Sequence, residues 1–187
     1  MLLTPFTSRK NKDFKVLIFY PNLHMSALMP QSVGIFTALL KSEGYTLDLF
    51  DCTYYLDADI EEAGIGKNSK EEKVKNRNVK KFDNKVWQGK GIPPKTGIEE
   101  DFKKKIETFQ PDLILVSVLE STYFLAINLL NLIPKNERKF KTLFGGVFAT
   151  YASDKIIKND LVDYVCRGEG EGAVVEMANA LCKGGRI

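Results

Sequence analysis

Lys15-Val16-Leu17-Ile18-Phe19-Tyr20 is apolar on both faces of an extended chain, and Pro21-Asn22 ends it. A strand that is apolar on both sides must be covered on both sides, which is the pattern of a buried parallel sheet. Leu113-Ile114-Leu115-Val116-Ser117 repeats the pattern, and Lys139 to Phe144 carries a third such run into Gly145-Gly146. Between these runs the apolar residues change to helical spacing. From Pro30 to Glu43 they fall at Val33, Phe36, Leu39 and Leu40, with Pro30 near the first turn and Gly44 closing the stretch. Thr46-Leu47-Asp48-Leu49-Phe50-Asp51 alternates as a second strand. Strand, helix and strand in this order form a βαβ unit with a right-handed crossover.

Regular order resumes after Gly97. Ile98 to Phe109 has helical phase at Ile98, Phe102, Ile106 and Phe109, and Gln110-Pro111-Asp112 stops it. Thr122 to Leu132 is a further helix, Tyr151 to Asn159 a short one, and Val162 to Val165 a short fifth strand. A last helix follows Gly168-Glu169-Gly170-Glu171-Gly172 and runs through Leu181, with Val174, Val175, Met177, Ala178 and Leu181 to pack inward. Five strands alternating with five helices predict an α/β fold. It is a flavodoxin-like, doubly wound, five-stranded parallel sheet in the order 2-1-3-4-5, with helices on both faces. Residues 1–187 are expected to form one domain carrying an insertion at about 53–97.

That insertion has no sustained apolar period. Between Lys67 and Lys95 ten basic residues face three acids, a local net charge of +7, with Val74, Val79, Phe82, Val86 and Trp87 interleaved. Such a connection is expected to be a solvated excursion docked by a few aromatics; RNA or an acidic partner remains open to it. The whole chain carries only +3, so it does not advertise nucleic acid. No apolar run approaches the roughly 20 residues of a membrane helix, and Met1 to Asp13 lacks a signal-peptide core. Cys52, Cys166 and Cys182 are odd in number and show no C-x-x-C spacing, which leaves no local zinc or iron–sulfur ligand set and suits a reducing cytoplasm.

In an open parallel sheet the ligand sits outside the carboxyl ends of the strands. The loops there are Pro21–Met29, Ser117–Thr122, Gly145–Thr150 and Cys166–Glu171. Pro21-Asn22-Leu23-His24-Met25-Ser26-Ala27 supplies neither the hydroxyl- and glycine-rich loop of a flavin phosphate site nor G-x-G-x-x-G. A phosphoreceiver domain needs clustered acids after the first strand and an Asp ending the third, where this chain has Pro21-Asn22 and Ser117. Three common tenants are thus excluded. Paired glycines after a strand let a bulky ligand approach the backbone, although a tight turn alone also explains them.

Ser117-x-Leu119 after the third strand and Gly145-Gly146 after the fourth, in that order and spacing, resemble the cobalamin-binding domain family. Gly145-Gly146-Val147-Phe148-Ala149-Thr150 followed by Gly168-Glu169-Gly170-Glu171 is similar to one branch, the N-terminal domain of cobalamin-dependent radical S-adenosylmethionine enzymes. Met29 to Leu40 matches that branch in phase. The resemblance spans Lys15 to about Gly185 and omits the basic insertion. It implies a cobalamin site built from Asn22, His24, Met25, Ser117, Val118, Leu119, Glu120, Ser121, Gly145, Gly146, Val147, Phe148, Ala149, Thr150, Gly168, Glu169 and Gly170. The glycines would clear room for the nucleotide tail, and the Ser117 and Ser121 hydroxyls would hydrogen-bond to it. Acids at Glu169 and Glu171 also suit a helix start with no ligand.

The methionine synthase and mutase branch places D-x-H-x-x-G after the first strand, where the histidine ligates cobalt. Here Asn22-Leu23-His24-Met25-Ser26-Ala27 keeps the histidine and lacks both the Asp and the Gly. His24 is therefore expected beside the corrin, with cobalt ligation the alternative. The resemblance further implies a radical enzyme barrel downstream of Ile187, which would bring S-adenosylmethionine and a [4Fe-4S] cluster on its own C-x-x-x-C-x-x-C motif. This stretch alone would catalyse nothing; the parent would run methyl transfer or a related radical reaction. Two other readings stay open: an interaction module using the basic insertion, and half of a sugar-nucleotide transferase.

Overall fold

The computed structural model describes residues 11–23, 29–58 and 95–184. The elements run β1 (Lys15–Tyr20), α1 (Gln31–Ser42), β2 (Thr46–Asp51), α2 (Ile98–Phe109), β3 (Leu113–Ser117), α3 (Glu120–Asn131) and β4 (Lys141–Gly145). They continue through α4 (Val147–Tyr151), α5 (Ser153–Ile156), β5 (Tyr164–Val165) and α6 (Glu171–Lys183). The strands form one five-stranded sheet in the order β2-β1-β3-β4-β5, parallel at every pairing. The expected architecture is therefore the one observed.

Because side chains alternate along a strand, β1, β3 and β4 each feed two cores. Val16, Ile18, Leu113, Leu115 and Leu143 turn to one face, where Val33 and Leu40 of α1 and Val174, Ala178 and Cys182 of α6 cover them. Leu17, Phe19, Ile114, Val116 and Phe144 turn to the other, under Phe102 and Ile106 of α2 and Leu125, Ala126, Leu129 and Leu130 of α3. Phe102 is wholly buried, with its ring centroid 5.0 Å from that of Phe19 and 5.1 Å from that of Phe50. Each such side chain contributes about 2–3 kcal/mol of hydrophobic stabilisation.

Several boundaries differ from those expected. α3 opens at Glu120 rather than Thr122, because the Thr122 hydroxyl accepts the Leu119 N–H at 3.0 Å from inside the first turn. Of the short helix expected over 151–159 only α5 (Ser153–Ile156) forms, and the residues before it make a separate helix, α4, that ends at Tyr151, with the break at Ala152 (φ −124°, ψ 27°). The last strand is only Tyr164–Val165, and α6 begins at Glu171.

Residues 59–94 of the insertion lie outside the described residues, and with them all of its basic stretch but Lys95. Its two stems are joined. Lys95 N–H donates to the Tyr54 carbonyl at 2.7 Å, and Leu56 N–H to the Lys95 carbonyl at 2.9 Å. Asp57 then caps α2 from across the gap, accepting from Gly97 N–H at 2.7 Å and Ile98 N–H at 3.1 Å. The excursion thus leaves and returns at one edge of the sheet, beside β2. Among the described residues no helix is long and apolar enough to cross a membrane.

Candidate functional site at the carboxyl edge

The site grows from the ends of β3 and β4. Ser117 and Gly145 are register partners, and immediately beyond them the two loops are stitched backbone to backbone. Val118 N–H donates to the Gly145 carbonyl at 2.9 Å, and Phe148 N–H to the Val118 carbonyl at 3.2 Å. Gly146 makes this approach possible. It sits at φ 94° and ψ −175°, a region essentially reserved for glycine. A Cβ there would stand 2.8 Å from the Val118 oxygen and 3.0 Å from its nitrogen. The first demand on Gly146 is therefore the protein's own backbone, while Gly145 has ordinary clearance, its nearest neighbour being the Cys166 Cβ at 3.9 Å.

A third loop joins through one hydroxyl. Thr150 Oγ1 donates to the Gly146 carbonyl at 3.1 Å and accepts the Gly168 N–H at 3.0 Å. The two glycine-rich segments, well apart in sequence, are thereby fixed against each other. Cys166 closes the corner: its N–H donates to the Phe144 carbonyl at 2.8 Å, and its thiol lies 3.7 Å from the Glu169 carbonyl oxygen. Desolvation, helped by the Glu171 carboxylate, holds that thiol above its ordinary pKa and hence protonated at neutral pH.

Between these loops and α1 lies a cavity of about 170 Å³. Phe36, Leu115, Leu143 and Val174 give it apolar walls; Ser32, Ser117, Cys166 and the Gly145–Gly146 and Gly168–Glu171 loops form the polar rim. The glycine-rich backbone leaves the rim low.

Of the residues expected at a site, Ser117, Gly145, Gly146, Gly168, Glu169 and Gly170 meet at this cavity. Leu119 and Val147 do not line it and are 44% and 58% exposed, and Glu120 and Ser121 are exposed at the start of α3. Val118 and Ala149 are buried beneath, Phe148 packs its ring 5.4 Å from that of Tyr123, and Thr150 serves as the loop-to-loop bridge. Asn22 is buried, donating from Nδ2 to Thr53 Oγ1 at 3.0 Å. His24 and Met25 lie outside the described residues. Sequence reasoning missed Ser32, Phe36, Leu115, Leu143, Cys166 and Val174 as lining residues. Phe36 was legible only as one of the inward positions of α1.

Residues 82–178, just over half of the chain, match the model of the B12 binding domain. The chain belongs to the B12-binding domain family. Its five-stranded parallel sheet, in the order β2-β1-β3-β4-β5, is consistent with such a domain. Two solved structures of the radical S-adenosylmethionine methyltransferase TsrM from Kitasatospora setae are similar in fold. One carries tryptophan substrate and the S-adenosylmethionine analogue aza-SAM, the other cobalamin and a [4Fe-4S] cluster. Each has a TM-score of 0.60 and 17% identity over 92% of this chain. This B12-binding domain spans 26% and 27% of those chains, about a quarter of their length. Comparison with curated proteins gives no match.

The residues fit the cofactor of a B12-binding domain in a specific way. Cobalamin has a broad corrin and a nucleotide tail ending in a flat aromatic base. A cavity of roughly 150 Å³ accepts one benzene-sized ring, whereas pockets for whole drug-sized ligands need about 300 Å³ or more. At about 170 Å³ this cavity suits one aromatic group of the cofactor, and the corrin must lie outside it.

Proposed function

We propose that this chain holds cobalamin at the carboxyl edge of its sheet, as the cofactor domain of a larger radical S-adenosylmethionine enzyme. The observation that carries the reading is the small, apolar-walled cavity opening between β3, β4, α1 and α6 within a B12-binding domain. Leu115, Leu143, Phe36 and Val174 would enclose the tail's base. Ser117 and Ser32 would offer hydroxyls to the sugar and phosphate that follow it. The bare backbone at Gly145 and Gly168 would let the tail pass the rim, and Leu119 and Val147 would support the corrin with apolar contact. The thiol of Cys166, kept neutral, adds no charge at the cavity wall. Bound there, cobalamin supplies a cobalt centre able to carry a methyl group.

Methyl transfer as the parent's reaction is supported by the two similar TsrM folds, both of a methyltransferase. A barrel domain of the same polypeptide would hold S-adenosylmethionine and the [4Fe-4S] cluster and present the substrate to the exposed side of the corrin. This chain's part is to bind, to orient and to keep water from the buried half of the cofactor.

The test is retention of hydroxocobalamin by the purified chain through gel filtration. Corrin absorbance is expected to co-elute with the protein in near-stoichiometric amount. A folded chain that elutes colourless after incubation with excess cobalamin would end this reading.

A further inference from the structure

The stems of the insertion make a dense set of contacts with each other and with α2. On the way out, Tyr55 and Ala58 are buried in the core under α2. The Tyr55 ring stacks on Phe50 with centroids 5.9 Å apart, and its hydroxyl donates to Asp101 Oδ2 of α2 at 2.6 Å. On the way back, Lys95 forms a parallel bridge to Tyr55, and its ammonium lies 5.4 Å from the centroid of the Tyr55 ring. The backbone bonds among Tyr54, Leu56 and Lys95 and the Asp57 cap on α2 lock both stems together. Gly97 then turns the chain into α2 at φ 85°, in the left-handed region that favours glycine.

All of these contacts are made by residues outside 59–94. Leu56 N–H reaches the Lys95 carbonyl at 2.9 Å, so the stems stand close enough for a few residues to span them. The junction also lies apart from the candidate cofactor site. β2 is the outer strand, β1 separates it from β3, and neither Tyr54, Tyr55, Leu56, Asp57 nor Lys95 lines the 170 Å³ cavity. We infer that residues 54–57 and Lys95 form a clasp that closes the domain beneath the insertion. Residues 59–94 are then an appendage whose work is separate from folding and from the cofactor edge, and whatever engages them leaves the corrin site as it was. The corrin part of this inference rests on the cobalamin reading above; the folding part stands without it.

The test deletes residues 59–94 and bridges Ala58 to Lys95 with Gly/Ser linkers of about four and about eight residues. Urea unfolding of the shortened chains is expected to show a midpoint no lower than that of the full chain, because a shorter loop costs less closure entropy. Equilibrium dialysis is expected to show cobalamin affinity within about twofold of the full chain, as for independent sites. Asp57→Ala, which removes the cap, should lower the midpoint equally in full and shortened chains, and Asp57→Asn, which keeps a capping oxygen, should restore most of it. Failure to fold with both linkers, a lower midpoint, or cobalamin binding several-fold weaker than that of a full chain that binds it overturns the inference. An Asp57→Ala effect confined to the full chain, or absent from both, does so too. A full chain that binds no cobalamin removes the cofactor reading by itself, and the unfolding midpoints then decide this inference alone.

Discussion

The two edges of the sheet are opposites. At the amino-terminal edge, between the starts of β1, β3 and β4 and the ends of α2 and α3, lies a hollow of about 870 Å³. It is far larger than the 170 Å³ cavity at the carboxyl edge, yet its walls carry Lys15, Lys103, Lys139, Asp13, Glu107 and Asp112. Charges of both signs spread round an open hollow offer no ligand a consistent partner. At the carboxyl edge the strands end in glycine-bearing loops, so backbone and apolar wall meet in a space fitted to one ring. Volume alone points to the amino edge; wall chemistry and loop geometry point to the carboxyl edge.

The amino edge is built for cohesion. Asp112 accepts the Lys15 N–H at 2.9 Å, its own N–H donates to the Lys15 carbonyl at 2.8 Å, and Lys141 N–H donates to the Asp112 carbonyl at 2.9 Å. One residue thus pins the starts of β1, β3 and β4. Nearby, Gln110 ends α2 at φ 51°, the one positive-φ non-glycine among the described residues.

Substitutions at the two edges should separate these roles. Gly146→Ala has the largest expected effect. Its Cβ would meet Val118 backbone at 2.8 Å in a glycine-only conformation, so urea unfolding should show a loss of about 2–4 kcal/mol, with cobalamin retention abolished. A variant of unchanged stability that keeps its corrin would show that the β3 and β4 loops do not depend on this contact. Asp112→Ala comes next. It should cost about 1–3 kcal/mol, since the part-buried Lys15 N–H loses its side-chain acceptor, while cobalamin retention per folded molecule stays constant. Corrin loss in that variant beyond the fraction unfolded would break the distinction between the edges. The smallest effect is a gain. Gln110→Gly should relieve the left-handed backbone and raise unfolding free energy by a few tenths to about 1 kcal/mol, with no change in corrin binding.

Much of the fold was legible because apolar periodicity reports burial directly. Val16 to Tyr20 and Leu113 to Val116 are apolar at every position since both faces are covered, and that is what made a parallel sheet the only economical reading. The helix faces of α1, α2 and α6 followed from their phase. Element ends were less legible. Val147-Phe148-Ala149-Thr150 offers no N-cap side chain, yet α4 begins at Val147, because the Phe148 N–H finds its acceptor on Val118 in another loop. No pattern local to the segment contains that bond.

The site divides in the same way. Ser117, Gly145, Gly146 and the Gly168–Gly170 stretch could be placed at one edge because each follows a strand, and topology brings strand ends together. The glycines' separate purposes could not be read there: Gly146 admits the Val118 backbone, and Gly170 admits the Phe36 ring. Periodicity along a chain determines which way a residue faces. Which residue stands opposite depends on loops and helices from distant stretches meeting in space, and only the tertiary structure decided that Phe36 would meet Gly170 across a cavity one ring wide.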